Sequence, residues 1–73
     1  MPNLKTRFGQ RLRVLRKQAG LTQEQLAEAT GLTIESISNI ERGLFGPKFD
    51  NLEKISNVLG IEVKELFEFD LNP

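Results

Sequence analysis

Leu21–Gly43, LTQEQLAEATGLTIESISNIERG, decides how this chain folds. Thr22 followed by Gln25 has the form of a capping box. The hydroxyl can accept from the Gln25 amide while the Gln25 side chain reaches back to the Thr22 N–H. Leu26 and Ala27 then put apolar groups on one face. Gly31 tolerates positive φ, so the chain can turn there without a steric penalty. Thr33 caps a second helix, in which Ile37 and Ile40 recur at helical spacing. Gly43 ends it. The small Ala27 and the turn glycine let two short helices cross closely and steeply. The stretch predicts a helix, a tight turn and a second helix.

On the N-terminal side, Asn3 to Gln18 predicts a first helix. Its apolar stripe is Leu4, Phe8, Leu12 and Leu15, with Gly9 inside the helix and Gly20 closing it. Arg11, Arg13 and Lys17 fall on the opposite face. On the C-terminal side, Leu44 to Lys48 reads as a loop, because Gly46-Pro47 cannot continue a helix. Phe49 is expected in the core. Asp50, with Glu53 three residues on, is expected to cap helix four, which buries Leu52, Ile55, Val58 and Leu59. Ile61 to Phe67 is expected to form a fifth short helix, and Asp70 to Pro73 to fray.

A chain of 73 residues makes one small domain with a thin core. It has no Cys, His, Tyr or Trp, so disulfides, thiolate metal sites and the commonest acid–base and thiol chemistries are missing. No Gly-rich phosphate loop or metal-ligand cluster stands out, so an enzyme is not expected. No apolar run suggests a signal peptide or membrane span, and a cytoplasmic location is expected. Formal charge is zero, but unevenly spread. Up to Gly43 there are seven basic residues against four acidic ones; beyond it there are three against six. Such a gradient would orient the molecule on a polyanion.

With these marks in place, the segment resembles the helix-turn-helix of the phage repressor/Cro-type (Xre) family of DNA-binding regulators. The likeness rests on Gln23, Ala27, Gly31, Ile37 and Ile40, on the run LTQEQLA and on the closing IERG. It extends from about Phe8 to Phe67. It implies an all-α, compact five-helix bundle of the lambda-repressor-like kind, a single domain over residues 1–73. The implied function is sequence-specific binding of a double-stranded DNA operator by a homodimer, with helix three in the major groove, in the manner of a transcriptional repressor. No cofactor, metal, membrane or small-molecule ligand is implied.

Duplex recognition needs donors for phosphates and short side chains aimed at base edges. Thr22 and Gln23 lie at the amino end of helix two, where free N–H groups and the helix dipole favour an anion. By resemblance, Gln23 fixes the motif to a backbone phosphate. Its plainer reading is a helix-initiating polar residue. Arg42 and Lys48, flanking the loop after helix three, are further phosphate candidates. Ile37 and Ile40 point inward, leaving Thr33, Ile34, Glu35, Ser38 and Asn39 outward. The family's base-reading positions map onto Ile34, Glu35 and Ser38. Asn39 and Thr33 fall nearer the backbone, with Asn39 kept among the base readers and Thr33 among the phosphate contacts. Ile34 suits a thymine methyl, and Glu35 suits accepting from cytosine N4. Many relatives carry Gln at such positions, so no operator sequence transfers. Glu35 also fits as an acid stabilising a helix N-terminus.

The resemblance further implies a structural bridge between Arg16, late in helix one, and Glu41, late in helix three. As two independent surface charges they would contribute only about 0–1 kcal/mol. Phe67, Phe69 and Leu71 near the end, and Leu44 and Phe45 in the loop, are more apolar groups than so short a chain can bury. Phe45, Phe67 and Phe69 are the expected dimer interface. The alternative is that Phe45 and Phe67 fold back onto their own core. A second functional class stays open: a protein-interaction module on the same fold, of antitoxin or coactivator type.

Overall fold

Asn3 starts helix α1 (Leu4–Gln18) by accepting the Thr6 N–H on its Oδ1 at 2.9 Å. This is the first element of a computed structural model that describes residues 2–69. After it come α2 (Gln23–Thr30), α3 (Ile34–Glu41), α4 (Phe49–Leu59) and a 3₁₀ helix (Val63–Phe67). The expectations placed on Asp70–Pro73, Leu71 included, lie outside the described residues.

The motif is closed by its own local bonds. Thr22 Oγ1 accepts from Gln25 N–H at 3.0 Å, and Gln25 Oε1 accepts from Thr22 N–H at 2.9 Å. Gly31 turns the chain at φ 76°, and Thr33 Oγ1 accepts from Ser36 N–H at 3.0 Å to open α3. Gly43, at φ 77°, ends it, with Leu44 N–H reaching back to Asn39 O at 3.0 Å.

The core is Phe8 and Leu12 from α1, Leu26 and Ala27 from α2, and Ile37 and Ile40 from α3. Leu52 and Ile55 from α4 and Leu66 from the 3₁₀ helix complete it. Gly9 is buried where α1 passes the carboxyl end of α3. A Cβ there would stand 2.7 Å from Glu41 O and 2.9 Å from Glu41 C, and nearer still to Ile40 O. The two backbones touch because no side chain separates them.

The structure departs from the sequence reading after Gly43. The fold is all-helical, but it has four α-helices among the described residues, and the expected fifth is the 3₁₀ helix. The segment is short and closes by i→i+3 bonds, Glu65 N–H to its N-cap Glu62 O at 3.0 Å, the form in which 3₁₀ turns occur as brief pieces. α4 begins two residues earlier than expected, at Phe49 rather than after an Asp50 cap. Lys48 holds the N-cap position without a side-chain bond, and Asp50 lies in the first turn. Phe49 does not enter the core; it is 85% exposed. It is the first residue of α4, at the end of the helix beyond the part that Leu52 and Ile55 hold against the core. Leu4, at the outer end of α1, is also exposed. Arg11 leaves the wet face: its Nε donates to Glu65 O at 3.0 Å and ties the 3₁₀ helix to α1.

Candidate nucleic-acid interface

α3 faces two ways. Ile37 and Ile40 are buried, while Ile34, 50% exposed, and Glu35 stand in solvent at its amino end. Ser38 and Asn39, one turn further, are half-buried. Ile34 is an apolar group held at the surface by a capped helix start. Thr33 and Ser36 hydroxyls lie 2.9 Å apart in a hydrogen bond, which leaves one hydroxyl proton between them for an outside acceptor. The neighbouring amino end of α2 carries Thr22 and Gln23. Thr22 uses an oxygen lone pair for capping, so its hydroxyl proton stays free to donate. Arg42 and Lys48 are exposed on either side of the loop, as are Arg13 and Lys17 on α1.

Beneath this surface sits a buried polar cluster. Arg16 Nε donates to Glu41 Oε2 at 2.6 Å, and Arg16 Nη2 to Glu41 Oε1 at 3.0 Å. Arg16 Nη1 donates to Leu21 O at 2.8 Å. Gln23 Nε2 donates to the same Glu41 Oε1 at 3.0 Å. Arg16 is 6% and Glu41 8% exposed, so these charges are paired out of water. The hydrogen bond to Glu41 holds the Arg16 guanidinium above its ordinary value, the carboxylate charge adds to this, and burial opposes it. One guanidinium therefore fixes the end of α3, the chain before α2 and, through Glu41, the first residue of α2.

The inward bond of Gln23 joins two residues 18 positions apart, which the sequence does not link. A signal was available. A buried carboxylate in a two-point bond with arginine still has an unfilled lone pair, and a polar residue at the start of the neighbouring helix can supply the donor.

Of the expected dimer residues, Phe67 and Phe69 meet each other. Phe45 is half-exposed in the loop after α3. Phe67 packs on Phe8 with ring centroids 5.2 Å apart, and Phe69 meets Phe67 edge-on at 6.0 Å. Arg7 lies over the Phe69 ring at 5.1 Å. The sequence reading missed Phe49 and Leu4. They line an apolar groove of about 230 Å³ together with Phe8, Pro47 and Phe67. Among the described residues, no group of acidic side chains is close enough to hold a metal, and no helix is long and apolar enough to cross a membrane.

The helix-turn-helix family HTH_3 matches residues 12–66. The control protein C.BamHI of Bacillus amyloliquefaciens is 41% identical over 68 residues, which cover 92% of this chain and 84% of that protein. Among solved structures, the restriction-modification controller protein C.AhdI from Aeromonas hydrophila superposes with a TM-score of 0.83. It is 43% identical, over 86% of this chain and 96% of that one. SinR, a master regulator of biofilm formation solved in complex with DNA, superposes with a TM-score of 0.79 at 39% identity, over 84% and 98% of the two chains.

Proposed function

This chain belongs to the Xre-type helix-turn-helix family, and from that premise we propose that it is a sequence-specific regulator of transcription. It binds duplex DNA as a homodimer and represses by lodging α3 in the major groove. The observation that carries this reading is the amino end of α3. Ile34 and Glu35 stand outward there, although Ile37 and Ile40 already supply the helix's buried side. In this reading Ile34, Glu35, Ser38 and Asn39 meet base edges. Thr22, Gln23, Thr33, Arg42 and Lys48 meet phosphates. The relation to SinR, whose structure contains DNA, supports the assignment. The apolar surface of Phe45, Phe67 and Phe69, widened by Leu4 and Phe49, is the part of the chain suited to covering by a second copy. A cytoplasmic location fits a chain that works on DNA.

Selection of tight-binding duplexes from a random pool tests the function directly. With about four to eight phosphate contacts per dimer, log K should fall against log salt with a slope of about −4 to −7. Retention unchanged between low and moderate salt would remove DNA as the partner and favour a protein-interaction module.

Glu35→Gln separates reading from folding. The variant keeps the side-chain length and removes an acceptor-only charge from an exposed site. Stability should change by no more than about 0.5 kcal/mol. The preferred base at one position per half-site should shift, by about 1–3 kcal/mol of discrimination. Repeating the selection with this variant checks it; an unchanged motif would take Glu35 out of base reading.

A further inference from the structure

We infer that Glu41 is a positioning residue for DNA binding: it holds the side-chain amide of Gln23 in the one orientation that turns a free N–H outward to a backbone phosphate. This rests on the reading of Gln23 as a phosphate donor. It adds a role for a buried carboxylate that otherwise serves only to bridge helices.

The argument starts from what each group can do. A carboxylate accepts hydrogen bonds and donates none. Glu41 accepts two from Arg16, at 2.6 and 3.0 Å, and one from Gln23 Nε2, at 3.0 Å. Arg16 is itself anchored on Leu21 O at 2.8 Å, so neither partner is free to swing. A flipped Gln23 amide would set its oxygen against a carboxylate oxygen, with no proton between them. Its nitrogen therefore stays inward. That nitrogen carries two protons: one goes to Glu41, and the other has no partner among the described residues. Gln23 is half-buried and opens α2. The second proton thus emerges beside the first backbone N–H groups of that helix, which have no intrahelical acceptor. Thr22 caps Gln25, leaving the Gln23 and Glu24 N–H groups uncapped. Arg16 and Glu41 neutralise each other, so the cluster presents a neutral directed donor rather than a charge. Glu24, exposed in the same turn, disfavours an anion held by charge alone, which leaves the directed donor as the way to hold one.

A double-mutant cycle on the folded protein tests this with a duplex selected for tight binding. Glu41→Gln keeps the shape but supplies an amide that can donate as well as accept, so Gln23 is free to flip. Gln23→Ala removes the donor. Each single variant should bind about tenfold more weakly. The double should bind within about twofold of Gln23→Ala, because Glu41 acts through Gln23. Equal weakening by Glu41→Gln in both backgrounds, or parental binding by Glu41→Gln, overturns the inference. A second measurement needs no variant. In the parent, one Gln23 side-chain amide proton should keep its hydrogen-bonded NMR signature on addition of the duplex while the other shifts. Loss of the inward bond on binding also overturns it. A parent that binds no duplex overturns the functional reading underneath, whereas a parent that binds DNA with an additive cycle overturns this inference alone.

Discussion

Gly9→Ala is expected to destabilise the protein by about 3 kcal/mol, against the direction that helix propensity alone would give. In an exposed helix interior the change from Gly to Ala stabilises by about 0.5–1 kcal/mol. Here the new methyl would stand 2.7 Å from Glu41 O and 2.9 Å from Glu41 C, with Ile40 O closer still. All three are backbone atoms, so no side chain can rotate out of the way. α1 and α3 must move apart, and the separation would loosen the packing of Phe8 and Leu12 together with the Arg16–Glu41 bonds. For a domain of this size, about 3 kcal/mol lowers the melting temperature by about 12–24 °C. Thermal unfolding followed by circular dichroism measures it, with exposed Gln10→Ala as the helix-propensity control. A Gly9→Ala protein melting at or above the parent would mean that the two backbones do not meet as closely as described.

The second large effect is Arg16→Met, expected to cost about 3–5 kcal/mol. The substitution removes the cation and leaves the Glu41 carboxylate buried with one amide for company. It also strands Leu21 O. Adding Glu41→Met should restore most of the lost stability, because the uncompensated charge goes with it. DNA affinity should not return with stability, since nothing then holds the Gln23 amide. Urea unfolding and duplex binding, measured on all three proteins, separate the two quantities. If the single variant changes stability by no more than about 0.5 kcal/mol, as an ordinary surface site would, the pair is not buried in the way the structure shows. If the double variant regains both stability and full DNA affinity, the cluster has no part in recognition.

The motif was legible because its signals are local. Thr22 with Gln25, Gly31, Thr33 and Gly43 each act within three or four residues of themselves, and hydrophobic spacing marks Ile37 and Ile40 as inward. What lies after Gly43 depended on distant partners. Whether Phe49 enters the core turns on what α1 and the 3₁₀ helix leave uncovered, and its own neighbours in sequence do not say. Arg11 carries the same charge and spacing as Arg13 on an amphipathic helix. Only the arrival of Glu65, 54 residues away, gives it a different task. Asp50 has a capping side chain and Lys48 does not, so the sequence points to a later start of α4 than the one formed. Pro47 and the turn before it place the first helical residue regardless. In the candidate site, the outward set on α3 followed from periodicity. The inward bond of Gln23 could not, because a residue at a helix start has a side facing the core as well as one facing solvent.

The attachment of the 3₁₀ helix to α1 has a consequence for the order in which the molecule becomes competent. Arg11 with Glu65, Phe8 with Phe67, and Arg7 with Phe69 join the two ends of the described chain. The helix-turn-helix can form from local contacts before Leu66, a fully buried core residue, has docked. Until then α1 has one apolar flank open to water, and the loop-closure entropy of the long-range contacts has not been met. A nascent chain ending before Val63 carries every residue of the motif and still lacks the surface against which α1 settles. Folding is thus gated by the docking of Val63–Phe67. Amide exchange in α1 should accordingly slow in a single step, when that segment docks.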